Sequence, residues 1–253
     1  MAPSPVLTIA HRGASAHAPE NTLAALRAAV ELRCDLAEVD VQRTRDGVLV
    51  LVHDADLART TGRRARVADT SYAELHRLDA GSWFSPAYAG EPVPTLEQAL
   101  DVLDGTGTGL LVELKHPARH PGIAADVART LRARPGYVDS AVAAGRLVVQ
   151  SFDHGVVRDF ATLEPDVPVG LLGHPPVRRL PALAGWADQV NPRHGRATAA
   201  YVDAVHAAGL SCSVWTVDQV ADVRRVLDLG VDGVITNRPD AVQRALADRL
   251  VPA

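Results

Sequence analysis

The sequence predicts an α/β protein, specifically a (β/α)8 TIM barrel. Three observations carry this reading. Short apolar runs alternate with amphipathic segments, the pattern of βα units. Eight such runs have helical stretches between most of them, and a chain of 253 residues matches the length that α/β barrels occupy as one domain.

The strand candidates, in order, are Val6–Ala10, Leu36–Val41, Leu110–Leu114, Leu147–Ser151, Val167–Leu172, Gln189–Asn191, Ser211–Thr216 and Gly233–Thr236. Helical patterns cover Asn21–Leu32, Leu96–Leu103, Ile123–Arg132, Val156–Leu163, Ala199–Ala207 and Val220–Leu229. Asn21 or Thr22 can cap the first helix, and Gly209 and Gly230 stand where helices stop. The connection after Leu172 is rich in proline and has only a weak helical pattern. A ninth apolar run, Val48–His53, follows Val41 after six residues, too few for a parallel crossover but suited to a hairpin. A turn centred on Asp46-Gly47 folds position 53 back opposite position 40. Residues 55–94 lack periodicity and read as an insertion over the C-terminal mouth of a single domain spanning 1–253.

Composition narrows the class. Hydrophobic residues make up 47% of the chain, enough for a sizeable core. A net charge of −4 offers no basic footprint for nucleic acid. No apolar run approaches the roughly 20 residues that span a bilayer, so no transmembrane segment is expected. The N-terminal stretch lacks a basic signal-peptide region, and Cys34 and Cys212 suggest neither a disulfide framework nor a zinc site. The default compartment is the reducing cytoplasm. Of 26 basic side chains, 25 are arginine and Lys115 is the one lysine. A lysine that persists in so arginine-biased a chain suggests a position where a planar fork cannot replace a compact ammonium, with chance as the alternative.

The residues that carry chemistry cluster at strand ends. Glu38 and Asp40 are two apart on a strand and point to one face, and Glu113 and Lys115 repeat that geometry on the next barrel strand. Three carboxylates converging at one mouth repel unless a cation sits among them, and all-oxygen ligation suits Mg²⁺ or Ca²⁺. The alternative is that each pairs with an arginine. His11 ends the first strand and the hairpin brings His53 to the same carboxylates, so one imidazole can take a proton while the other delivers one. Arg12 and Lys115 are suited to holding phosphate oxygens. The remaining histidines, His120 among them, read as surface or loop residues, with His17 and His116 nearest the site.

His11-Arg12-Gly13, Pro19-Glu20-Asn21-Thr22, Glu38-x-Asp40-Val41, His53-Asp54, Glu113-Leu114-Lys115, Gln150-Ser151-Phe152, Trp215-Thr216-Val217 and Gly233-Val234-Ile235-Thr236 occur in that order. The set resembles the bacterial glycerophosphodiester phosphodiesterases from His11 to about Pro239. The resemblance implies a TIM barrel with an insertion after the second histidine. It implies His11 and His53 as the acid/base pair, Glu38, Asp40 and Glu113 as metal ligands, and Arg12 and Lys115 as phosphate contacts. Phe152 and Trp215 are then expected on the glycerol side of the pocket, with core packing as the other reading of Trp215. Asn237 stands where family members often carry Asp.

The expected function is therefore metal-dependent hydrolysis of glycerophosphodiesters to sn-glycerol 3-phosphate and an alcohol, through a cyclic phosphate. The alternatives are a lysophospholipase D-like enzyme with Trp83, Phe84 and Tyr88 lining an acyl channel, or a non-catalytic sugar-phosphate-binding barrel. A sugar-phosphate isomerase shares only the fold.

The lone lysine yields a test. Lys115→Arg keeps the charge but places a larger, planar group beside the proposed cation. The expected outcome is a large fall in kcat/KM with an unchanged melting temperature, measured by steady-state kinetics and thermal unfolding.

Overall fold

The computed structural model describes residues 6–250. β1 (Leu7–Ala10) leads to α1 (Leu23–Glu31), followed by β2 (Leu36–Arg43) and β3 (Leu49–Leu51). Two single-turn helices, α2 (Ala58–Thr61) and α3 (Tyr72–Leu75), precede α4 (Leu96–Leu103) and β4 (Gly109–Leu114). Then come α5 (Ile123–Arg132), α6 (Tyr137–Ala143), β5 (Leu147–Ser151), α7 (His154–Leu163), β6 (Val169–Leu172), α8 (Leu180–Leu183) and β7 (Gln189–Asn191). The chain continues through α9 (Ala199–Ala207), β8 (Ser213–Val214), α10 (Val220–Asp228), β9 (Gly233–Thr236) and α11 (Pro239–Leu250).

Eight strands pair in parallel in the order β7-β6-β5-β4-β2-β1-β9-β8, and β3 adds antiparallel to β2. The result is the expected (β/α)8 barrel, nearly closed. Between β7 and β8 only isolated bridges form, Gln189 with Ser211 and Arg193 with Trp215. The reason is local: Pro192 follows β7 and has no N–H to give, while the Asn191 side-chain carbonyl takes the place of a ladder acceptor for the Ser213 N–H, at 3.1 Å. The expected strand Ser211–Thr216 is therefore reduced to Ser213–Val214.

Strand parity divides the core. Ala37, Val39 and Val41 of β2, Leu110, Val112 and Leu114 of β4, and Leu147 and Val149 of β5 pack outward against the helices. Ile9, Leu36, Leu111, Val148 and Ile235 form a separate apolar cluster inside the barrel. The next inward positions along the same strands are the polar Glu38, Asp40, Glu113 and Gln150, all buried. An apolar floor thus sits directly beneath a charged layer.

Several boundaries differ from the sequence reading. α1 begins at Leu23 because Asn21 is in the left-handed region (φ 56°) and Thr22 is the cap, its hydroxyl accepting the Ala25 N–H at 3.2 Å. α7 begins at His154, where Asp153 accepts from the Gly155 N–H at 2.9 Å. Gly209 (φ 83°) and Gly230 (φ 73°) follow the ends of α9 and α10 as expected. The hairpin forms, but its register pairs Val41 with Leu51, and the Val52 N–H donates to the Asp40 carbonyl. Position 52, not 53, therefore stands opposite Asp40. α6 and α11 carry no expectation in the sequence reading. Between β3 and α4, Leu57, Val67, Leu75, Ala80 and Val93 pack with Val50 and Val52 as a small core of their own. His120 lies in a loop as expected but is buried rather than on the surface, its Nε2–H donating to the Gln42 amide oxygen at 3.2 Å.

The β1–α1 loop lies against α1 through Gly13 (φ 74°), where a Cβ would stand 2.6 Å from the Ala25 carbonyl carbon. Gly13→Ala is expected to destabilise by about 2–4 kcal/mol, from the positive φ and the overlap with backbone together. Thermal unfolding should show a drop of at least about 4 °C.

Candidate active site

The register of the parallel strands assembles one cluster. Asp40 of β2 pairs laterally with Glu113 of β4, and Glu113 with Gln150 of β5. Ile9 pairs with Leu36, so His11 follows β1 at the level of Glu38. Oxygens of Glu38, Asp40 and Glu113 lie within 4.8 Å of one another. The three carboxylates expected together are together.

Two cations enter the same layer. Lys115 Nζ is 2.7 Å from Glu113 Oε1 and 3.5 Å from Asp40 Oδ1. Arg12, itself left-handed at φ 56°, turns its backbone N–H to Glu38 Oε2 at 2.8 Å and its Nε to within 3.1 Å of Asp40 Oδ2. The arginine-pairing alternative therefore holds for Asp40, yet the cations do not satisfy the cluster. Glu38 Oε1 and Asp40 Oδ1 are buried with no hydrogen-bond partner. Burial, then the charges of Asp40 and Glu113, raise the Glu38 carboxyl well above its usual range. Burial and Asp40 push Glu113 up to about 7. Burial also acts on Asp40, but Arg12 and Lys115 outweigh it and hold that carboxyl below its usual range. An all-oxygen donor set with bare buried oxygens fits a hard divalent cation.

The two histidines are held differently. His11 Nδ1–H donates to Asn237 Oδ1 at 2.7 Å, and the Asn237 amide is oriented by donating its Nδ2–H to Asp218 Oδ2 at 2.7 Å. This leaves His11 Nε2 as the nitrogen without a proton. Burial, and then the Arg12 charge, lower the His11 pKa to about 4, so the ring is neutral at pH 7. His53 Nδ1 is 2.7 Å from Asp54 Oδ1, a carboxylate in place of an amide. The segment carrying His53 is anchored by Gln42, whose Nε2 donates to the carbonyls of Val52 (2.7 Å) and Asp54 (2.6 Å). His116 has a left-handed backbone at φ 45°, and His17 lies 3.4 Å from Asp240.

A cleft with an empty volume of about 390 Å³ opens over this layer, lined by His11, Arg12, Glu38, His53, Glu113, Lys115, Phe152 and Trp215, among others. Phe152 and Trp215 meet edge to face at 5.4 Å, and Trp215 Nε1–H donates to the Asn191 carbonyl. Trp215 is thus anchored in the wall and also faces the cleft. Trp83, Phe84 and Tyr88 do not line it; they pack edge to face on one another.

The sequence model of the Glycerophosphoryl diester phosphodiesterase family matches residues 11–241. The chain belongs to that family. As a glycerophosphoryl diester phosphodiesterase family member it is an enzyme, a phosphoric diester hydrolase. It is 34% identical to a glycerophosphodiester phosphodiesterase of Bacillus subtilis over 95% of this chain and 86% of that protein. It is 33% identical to one of Caldanaerobacter subterraneus over 93% of this chain and 96% of the other. Among solved structures, an Oleispira antarctica phosphodiesterase in complex with the product sn-glycerol-3-phosphate superposes with a TM-score of 0.87, at 29% identity, covering 96% of this chain and 97% of that one. Among the described residues of this family member, no helix is long and apolar enough to cross a membrane.

Sequence reasoning missed Asn237, Gln42, Asn21 and Asp218 as supports of the cluster. Asn21 Nδ2–H donates to Asp40 Oδ2 at 2.8 Å, and the Asp40 N–H returns a bond to Asn21 Oδ1 at 3.1 Å. A signal for Asn237 was available: Ala10 pairs with Thr236, so the residue after β9 meets the residue after β1.

The raised Glu113 carboxyl gives a stability test in metal-free protein. A raised folded pKa stabilises fully below the unfolded value near 4.5, and that contribution is lost as pH rises through about 7. From pH 5 to pH 8, chelated wild type should lose more in melting temperature than chelated Glu113→Gln, by at least about 2 °C. Added Mg²⁺ or Ca²⁺ should reverse the difference at pH 8.

Proposed function

We propose that this family member hydrolyses glycerophosphodiesters to sn-glycerol 3-phosphate and an alcohol, acting as one domain over residues 1–253 with the 55–94 segment as its insertion. The observation that carries the reading is the joint presence, at one cleft, of two differently partnered histidines, two fixed cations and the carboxylates Glu38 and Glu113, with Asp40 buried against them. Trp83, Phe84 and Tyr88 of the insertion do not line the cleft and supply no acyl channel to it, which favours a deacylated headgroup over a lipid with an acyl chain.

Glu38, Asp40 and Glu113 hold a divalent cation, Mg²⁺ or Ca²⁺. When bound, it supplies Lewis-acid stabilisation of phosphate charge and lowers the pKa of a nearby hydroxyl. Arg12 and Lys115 orient the phosphate through its non-bridging oxygens. Phe152 and Trp215 form the apolar wall beside the glycerol. His11 Nε2, unprotonated and neutral, accepts the proton of the glycerol 2-hydroxyl as its oxygen bonds to phosphorus. His53, its Nδ1 held by Asp54, gives a proton to the departing alcohol oxygen as the old P–O bond breaks. Water then opens the cyclic phosphate with the histidine roles exchanged.

His11→Ala and His53→Ala are each expected to lower kcat by about 10²–10⁴-fold with the fold retained. The measurement is a coupled glycerol 3-phosphate assay over glycerophosphocholine, -ethanolamine, -glycerol and -inositol, with and without EDTA. Activity should vanish on chelation and return with Mg²⁺ or Ca²⁺. Full activity in both variants, or in protein confirmed free of metal, overturns the reading.

A further inference from the structure

Outside the barrel, on the single-turn helix α2, Arg59 reaches back to the mouth. Its Nη1–H donates to Glu20 Oε2 at 2.8 Å, its Nη2–H to Glu20 Oε1 at 2.7 Å, and its Nε–H to Asp54 Oδ2 at 2.6 Å. Each carboxylate it holds also holds a residue of the cleft. Glu20 Oε1 accepts from Arg12 Nη1 at 2.9 Å, and Asp54 Oδ1 is 2.7 Å from His53 Nδ1. A continuous chain therefore runs Arg12–Glu20–Arg59–Asp54–His53.

The anchor for this chain is the insertion itself. Leu57, the residue before α2, is fully buried in the small core with Val50, Val67 and Leu75. The Trp83 ring lies 5.9 Å from the Arg59 guanidinium carbon. The Arg59 side chain keeps 43% exposure, whereas Glu20 keeps 12%. The carboxylate at the centre of the chain is thus mostly withdrawn from water and depends on its two guanidinium partners.

We propose that Arg59 is a positioning residue for the reaction, its guanidinium tying Glu20 to Asp54 and so setting both the phosphate-binding Arg12 and the acid/base His53. The inference rests on the reading of the cleft given above. Without Arg59, Glu20 has Arg12 as its remaining guanidinium partner and competes with substrate phosphate for it, which raises KM. Asp54 loses the bond that fixes its second oxygen, and His53 loses a fixed tautomer and direction, which lowers kcat. Lysine cannot substitute, because one ammonium cannot form the two parallel bonds to Glu20 while also reaching Asp54.

The test is a pair of double-mutant cycles on the full chain with saturating Mg²⁺ and glycerophosphocholine. Arg59→Ala and Arg59→Lys are measured alone, with Glu20→Gln and with Asp54→Asn, reading kcat, KM and melting temperature. Arg59→Ala should lower kcat by about 10–100-fold and raise KM several-fold, on the scale of lost orienting partners. The kcat effect should shrink to less than about 3-fold in Asp54→Asn, and the KM effect should shrink likewise in Glu20→Gln. Arg59→Lys should stay impaired, and guanidinium ion in the assay should restore part of the kcat of Arg59→Ala. Should Arg59→Ala not fold, Arg59→Lys gives the same readouts. Wild-type kcat and KM in the folded variant, or full additivity in both cycles, overturns the proposal. If His53→Ala and Arg12→Ala are impaired while Arg59→Ala is not, Arg59 alone is rejected. If both cleft variants keep full activity, the reading of the cleft fails and this inference with it.

Discussion

Three carboxylates buried at one level of a barrel are an electrostatic constraint that the surrounding residues must answer. Charge removed from water is costly unless it is paired, and like charges so close cannot all ionise alone. The mouth of this barrel is arranged around that demand. Arg12 adopts a left-handed backbone, so that its N–H reaches Glu38 while its side chain reaches Asp40. Lys115 stands between Glu113 and Asp40, and Asn21 closes a two-bond ring with Asp40. Even so, two carboxylate oxygens remain bare. Stability and site chemistry are therefore opposed here: the carboxylates that are costly to bury are the same ones that leave oxygens free to meet a ligand.

Much of this was legible in the sequence, and the reason is periodicity. Residues two apart on a strand share a face, so Glu38 with Asp40 and Glu113 with Lys115 could be placed before any coordinates. Six residues between two apolar runs left room for a hairpin and little else. The one-residue error in its register came from the turn, where Thr44 and Val48 close the loop one position away from a turn centred on Asp46-Gly47. What stayed hidden were polar side chains whose partners lie far along the chain. Asn237 and His11 are 226 positions apart, and Arg59 and Glu20 are 39 apart. No spacing rule signals such a bond. α11 escaped notice because its buried face is built from Ala241, Val242 and Ala245, small side chains that give a faint pattern beside so many charges.

The segment between β3 and α4 has a core of its own and yet is joined to the barrel mouth by polar contacts. The Tyr88 hydroxyl donates to the His17 carbonyl, and Glu91 accepts from the Ala24 N–H at the first turn of α1. The first contact falls on the β1–α1 connection, which also carries Arg12 and Glu20, and the second on the helical turn that ends it. The catalytic-side loop is therefore held from two directions, by Gly13 against α1 beneath it and by the insertion above. These contacts offset the cost of a loop with two left-handed non-glycine residues, Arg12 and Asn21.

Lys115 has a consequence beyond catalysis and stability. Every other basic side chain apart from the histidines is a guanidinium, so the protein carries a single ε-amine, and that amine lies in the cleft against two carboxylates. Reagents and enzymes that modify lysine have one side-chain address on this molecule. Acylation there replaces a cation with a bulky neutral amide inside the cleft, so the chemical reactivity of one residue reports directly whether the cleft is open or filled.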